Sequence, residues 1–398
     1  MKNSSETPQM STFSRGKRTW FIILMVILAI ILMEAGLRLV HFVTHLGEKE
    51  VPDSKMLLSP YKDKPWAEQY WTEMHQREIR YEPYYGWSLK EFNGQYVNID
   101  SNGLRQTFNP VFSDSEPPET LFVFGGSTIW GGGSRDDYTI PSWLSRLLNE
   151  KGHPIFVVNY GTTGHVFTQE VIRLMMALRA GHRPDYVVFY DGTNEVYSAY
   201  QAGVAGTFQN VERTRERLRQ VDAYEHVSIG LGEILRDNSM IYRAVRKFVS
   251  FFTGSPDRRE AAAEYTDQDL RRLAGEIRRA YAESAQLLDY LAKKYDFEYI
   301  CFWQPVAFLE DSLGQEERNS DKRINDRSLA ALFAYAHDSV SANPTPRSSD
   351  ITDALANRSG SVYVDFCHIT EDGNKTVASR MASIIEKELL GHEQTGDN

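Results

Sequence analysis

Leu121-Phe122-Val123-Phe124-Gly125-Gly126-Ser127-Thr128 runs from four consecutive apolar residues into a glycine pair and a serine. An apolar run with no polar alternation is the pattern of a strand covered on both faces. Similar runs follow at residues 155–160, 186–190, 299–303 and 362–366. Helix-like segments separate them, at 140–150, 167–180, 267–294 and 375–390. Strands alternating with helices predict an α/β fold, a three-layer, doubly wound parallel sheet. The spacing predicts five strands in flavodoxin-like order 2-1-3-4-5. This main domain is expected over residues 120–398.

The 398 residues, 41% of them hydrophobic, leave room for additions to one such domain. Aromatics at 12% argue against extended disorder, and a net charge of −10 argues against a nucleic-acid partner. The two cysteines, Cys301 and Cys367, supply no zinc spacing and no disulfide-rich scaffold. They lie on or just after neighbouring expected strands. A disulfide between them and a pair of free core thiols are both open.

Trp20 to Met33 is unbroken apolar sequence, continuing to Val43 with Glu34, Arg38 and His41 as interruptions. Glu34 and Arg38, four apart, share a helix face and neutralise each other. Residues 19–43 are expected to be a transmembrane anchor after a tail at 1–18. A cleaved signal and a buried helix are the alternatives; the lack of an A-x-A-like site favours the anchor. Lys2, Arg15, Lys17 and Arg18 keep the tail in the cytoplasm and put the rest outside it, in a periplasm or at the cell surface.

Residues 44–119 are polar but carry Trp66, Tyr70, Trp71, Tyr81, Tyr84, Tyr85 and Trp87. Asn93-Gly94 and Asn102-Gly103 are turn dipeptides beside the strand-like run 95–99. A small β-rich preface packed on the main domain is expected. Its aromatics fill core or form a platform for sugar rings, core being the plainer reading. Residues 198–260 interrupt the alternation. Within them, 241–252 sets Arg243, Arg246 and Lys247 against Val245, Phe248, Phe251 and Phe252. An inserted helical cap is expected, packed over the domain or lying on a membrane. Residues 341–350 read as a loop.

Ligands in open α/β sheets bind beyond the carboxyl ends of the strands. Those ends carry Gly125-Gly126-Ser127, Asn159-Tyr160-Gly161 leading to Gly164, Asp191-Gly192-Thr193-Asn194-Glu195, and Asp365-Phe366-Cys367-His368. Three motif readings of the glycine turn fail on spacing. A P-loop needs lysine where Gly132 stands. A dinucleotide site needs G-x-G-x-x-G, and an α/β-hydrolase elbow needs a second glycine where Ile129 stands. What remains is the set of parts for acyl transfer: a nucleophile, oxyanion donors, a base and its orienter.

The four blocks, in order, resemble the SGNH (GDSL-like) hydrolase family: Phe124-Gly125-Gly126-Ser127, Gly164, Gly192-Thr193-Asn194-Glu195 and Asp365-Phe366-Cys367-His368. The resemblance covers roughly residues 120–390. Gly126 and Glu195 depart from it, each standing where the family usually has aspartate. It implies Ser127 as nucleophile, His368 as base and Asp365 as orienter. It also implies an oxyanion hole from the Ser127 and Gly164 N–H groups and the Asn194 amide. No H-x-x-x-H or carboxylate cluster suggests a metal, and no cofactor is expected. The plainer readings are a helix cap for Ser127, a turn residue for Asn194 and a surface side chain for His368; His165 and His182 read as structural or surface residues. The expected activity is a serine esterase, or an acyltransferase of the same mechanism, acting on O-acyl groups of an envelope or exported polysaccharide. A lipid esterase, with Phe248, Phe251 and Phe252 lining an acyl channel, and a non-catalytic polysaccharide-binding or assembly protein are the alternatives.

Overall fold

The computed structural model describes residues 15–44, 54–113, 115, 117–212, 214–215, 239–242, 245, 265–311, 313–356, 358 and 360–391. Most of the expected cap, with Phe248, Phe251 and Phe252, lies outside the described residues. The chain forms two units, residues 1–51 with 215–261, and residues 52–214 with 262–398.

In the first unit, helix α1 (Arg15–Thr44) is unbroken. Its stretch Lys17–Val43, 27 residues, is long and apolar enough to cross a membrane, a test that a signal sequence also passes. At about 1.5 Å per residue it spans more than the roughly 30 Å of a hydrocarbon core. Glu34 and Arg38 form the ion pair their spacing predicts, at 3.0 Å. The Glu34 carboxylate also accepts hydrogen bonds from the Met240 and Ile241 N–H groups and from Ser239 Oγ.

The second unit begins with the preface: α2 (Ala67–Gln76), then two antiparallel hairpins, β1 (Ile79–Glu82) with β2 (Gly86–Leu89) and β3 (Phe92–Asn93) with β4 (Asn98–Ile99). The β3–β4 hairpin matches the Asn93-Gly94 turn signal; the β1–β2 hairpin, which turns at residues 83–85, was not anticipated, and the helix is a correction to a purely β-rich preface. The buried Glu73 of α2 explains it, because its carboxylate accepts the N–H groups of Gln95, Tyr96 and Val97 and ties the helix to the β3–β4 turn. Tyr61, Tyr70 and Trp71 are core, packed with Ile99, Trp130 and Val364.

The sheet follows as β5 (Glu119–Gly125), β6 (Ile155–Asn159), β7 (Tyr186–Asp191), β8 (Glu298–Trp303) and β9 (Ser348–Asp350), all parallel, in spatial order β6-β5-β7-β8-β9. This is the predicted 2-1-3-4-5 order. Every residue of β7 is buried, as an apolar run without alternation requires. Between strands lie α3 (Ser127–Trp130), α4 (Ile140–Glu150), α5 (Phe167–Arg179), α6 (Thr193–Ala202), α7 (Asp267–Tyr295) and α8 (Arg327–Ser341), and α9 (Glu371–Ile385) follows the last strand. Helix α4 packs on α9, and α7 packs on α5 and α8. Thr139, Thr266, Asp326 and Thr370 cap four of these helices through their side chains.

The fifth strand is not where the apolar run at 362–366 put it. That run is buried, but its backbone is satisfied otherwise: Glu317 Oε1 accepts the Val362 and Tyr363 N–H groups, and Val364 N–H donates to the His368 carbonyl. It forms a tight return loop. The strand position beside β8 goes instead to Ser348–Asp350, inside the expected loop. Helix α8 was not anticipated; it fills the stretch before that edge strand.

Candidate active site

The carboxyl end of β5 delivers Gly125 and Gly126 to Ser127, the first residue of α3. The return loop after residue 362 carries Asp365 and His368 to the same point. His368 Nε2 lies 2.8 Å from Ser127 Oγ, and His368 Nδ1 lies 2.8 Å and 2.9 Å from the two Asp365 oxygens. Asp365 is ionised, so Nδ1 carries the proton it donates, which leaves Nε2 to accept from the serine hydroxyl. Asp365 Oδ1 also accepts the N–H groups of Cys367 and His368. Oδ2 accepts from Lys55 Nζ at 2.8 Å. Burial pushes the Asp365 carboxyl up, but His368 and Lys55 hold it well below the usual carboxylate range. Gly132 makes room for the imidazole: a Cβ there would sit 2.6 Å from His368 Cδ2 and 2.9 Å from Nε2.

Asn194 sits in the first turn of α6, clamped at both ends of its amide. Nδ2 donates to the His165 carbonyl at 2.6 Å, and Oδ1 accepts from Gln209 Nε2 at 2.7 Å. Nδ2 lies against Gly126, where a Cβ would come within 2.1 Å of it. The amide has a second N–H beyond the one given to the His165 carbonyl. Gln209 and Trp87 border Gly164. The Glu195 carboxylate accepts Phe167 N–H at 2.6 Å and Gly192 N–H at 2.7 Å, tying the second block to the third. Its extra methylene supplies the reach that accounts for Glu in place of Asp. His165 is buried with its ring against the Trp87 carbonyl, and burial lowers its pKa to about 3, so it is neutral. His182 is bonded to the Tyr160 hydroxyl.

Cys301 and Cys367 are both buried free thiols, not a disulfide. Cys367 Sγ faces Asp365 and His368 at 3.6 Å, and burial pushes both thiols well above their ordinary range.

A cavity of about 230 Å³ opens beside Ser127 and His368, and one wall comes from the preface, with Lys55, Trp71 and Arg77. Sequence reasoning missed Lys55, Arg77 and Gln209. None belongs to a motif, and each reaches the site only through packing of segments remote from the strand ends.

Residues 121–381 match the model of the GDSL-like Lipase/Acylhydrolase family. The chain belongs to this family. The match spans all four blocks of the GDSL-like hydrolase, and the family is one of ester-hydrolysing enzymes. No curated protein matches the chain. Among solved structures, this GDSL-like hydrolase is similar to an acetyl xylan esterase, AlAXEase, at 12% identity and TM-score 0.36, over 67% of this chain and 99% of that one. It is similar to TesA at 13% identity and TM-score 0.33, over 68% and 99%. It is also similar to a lipase/acylhydrolase from Enterococcus faecalis at 14% identity and TM-score 0.35, over 68% and 96%. Likenesses this low carry no argument about substrate.

Proposed function

We propose that this GDSL-like hydrolase removes O-acyl groups, foremost acetyl, from a polysaccharide outside the cytoplasm through a Ser127 acyl-enzyme. The observation that carries the mechanism is the unbroken line Ser127 Oγ to His368 Nε2 at 2.8 Å and His368 Nδ1 to Asp365. His368 takes the serine proton as Oγ attacks the ester carbonyl. The negative oxygen then meets the Ser127 and Gly164 N–H groups and the Asn194 amide. His368 returns the proton to the leaving sugar hydroxyl. Water, activated by the same base, releases the acid and regenerates Ser127; a second sugar hydroxyl in place of water makes the step a transfer.

The cavity supports the glycan over the lipid ester. At about 230 Å³ it falls below the roughly 300–1,000 Å³ usual for small-molecule pockets, and its lining includes Lys55, Arg77, Trp71 and Trp130. A short acyl group and a sugar ring suit such walls better than a fatty chain does. The basic flank before the apolar run of α1 supports an anchored protein whose hydrolase domain faces away from the cytoplasm.

The test is acetate release from an O-acetylated glycan beside fatty-acid release from lysophospholipid. Ser127→Ala and His368→Ala should each lower turnover by several orders of magnitude, with the double variant little worse than either. Fluorophosphonate labelling should disappear in Ser127→Ala. Normal turnover by Ser127→Ala would falsify the nucleophile, and release of fatty acid alone would replace the glycan with a lipid.

A further inference from the structure

Arg77 follows α2 and lines the cavity that holds Ser127 and His368. Its Nε donates to the Met74 carbonyl at 2.9 Å, and its guanidinium carbon lies 4.2 Å from the centroid of the Trp130 ring. A guanidinium has five N–H donors in a planar fork, and stacking leaves those in-plane donors unspent. The four terminal N–H bonds of Arg77 find no acceptor among the described residues. Among the other half-buried or buried arginines near the site, Arg105 pairs with Asp136, Arg135 with Glu371, Arg323 with Asp321 and Arg358 with Glu310 and Glu317, while Arg173 donates to the Tyr160 carbonyl and the Thr162 hydroxyl.

Burial, with the nearby Arg105 charge, pushes the Arg77 pKa down to about 10, while Tyr70 acts the other way. Arg77 is therefore charged at neutral pH and carries a desolvation penalty that no carboxylate offsets. No acidic residue lines the cavity among the described residues. The other preface cation there, Lys55, is committed to Asp365. An apolar acyl chain laid against Arg77 would add to the penalty; an oxyacid group would relieve it.

We propose that Arg77 forms an anion subsite of the active site, so that the acylated carrier is an acidic glycan bearing a carboxylate or phosphate close to the esterified hydroxyl. The subsite rests on the esterase reading above and names the class of substrate for that site. The planar fork binds two oxygens of the anion side by side, while the ester lies at Ser127.

The experiment uses the full chain and has two arms. In the first, p-nitrophenyl acetate is the substrate, and inorganic phosphate or glucuronate is the competitor. Both anions should inhibit competitively, and Arg77→Met should raise the inhibition constant about tenfold or more, as loss of charged hydrogen bonds implies. Arg77→Lys should recover part of it, and Arg146→Met, far from any cavity role, should change nothing. The second arm compares kcat/KM on O-acetylated polygalacturonate, O-acetylated polyglycerol phosphate and O-acetylated neutral glucomannan. The preferred acidic polymer identifies carboxylate or phosphate. Its advantage over the neutral one should fall about tenfold or more in Arg77→Met, through KM, and should shrink with added salt in the wild type. Anion inhibition unaffected by Arg77→Met overturns the subsite, as does a wild type that prefers the neutral glycan. Turnover of p-nitrophenyl acetate with no glycan hydrolysed overturns the polysaccharide reading instead, and the first arm still decides Arg77.

Discussion

The Cβ that Gly126 lacks would stand 2.1 Å from Asn194 Nδ2, well inside contact distance. Any side chain here displaces the amide from the one place where it is held between His165 and Gln209. Gly126→Ala should therefore act through Asn194. Its loss of kcat should approach that of Asn194→Ala, about 100-fold or more, and the double variant should be little worse than Asn194→Ala alone. Multiplying losses in steady-state kinetics would show that the two positions act separately. Ser127, Asn194, Asp365 and His368 were legible as candidates because acyl transfer needs those residue types at strand ends, and the fold brings the first, third and fourth within hydrogen-bond distance. Lys55, Arg77 and Gln209 were not legible. A lysine 310 positions from the aspartate it touches leaves no local pattern.

At the level of elements, four of the five sheet strands were readable from apolar runs alone. The fifth was misplaced because burial and strand pairing are different properties. The buried stretch at 362–366 satisfies its backbone through Glu317 and its own return, whereas the polar Ser348–Asp350 pairs at the sheet edge. The loop after α3 is held in a comparable way. Buried Arg105, from the preface, donates to Asp136 and to the carbonyls of Trp130, Gly131 and Ser134. Tyr61 and Tyr70 bond Gly133 from the same side. Removing one partner of a buried pair strands the other, so Arg105→Met should destabilise the fold by about 3–5 kcal/mol. Urea denaturation should show a lower midpoint at an unchanged m value. A shift worth under about 1 kcal/mol would mean that the tyrosines alone hold the loop.

Across the whole hydrolase unit, the pH response of stability should carry the mark of carboxyls buried behind the site. Both Glu170 oxygens and Asp191 Oδ2 are buried, with no hydrogen-bond partner beyond the contact of the two carboxyls with each other. Burial, and then the neighbouring carboxylates, raise Glu170 and Asp191 well above the carboxylate range. The folded state thus keeps a proton that the unfolded chain releases above about pH 4. With the raised pKa in the native state, stability falls as pH climbs from about 4 toward that value. Glu170→Gln, which has no proton to lose, should give up less Tm than the wild type between pH 5 and pH 8, measured by calorimetry. Equal losses would assign the wild-type slope to other groups.

The hydrogen bond from Lys55 to Asp365 joins residues 310 apart, and that from Ser127 to His368 joins residues 241 apart. Synthesis runs from one end, so the lysine is made long before its partner exists. Contacts of such long range form late and slowly, after the local hairpins and helices. The nascent chain can build β5, β6 and β7 and expose the serine while still lacking the loop with its base. The proposed Ser127 chemistry is then withheld until the final portion of the polypeptide has been made, because a chain released before residue 365 lacks both proposed partners of the serine.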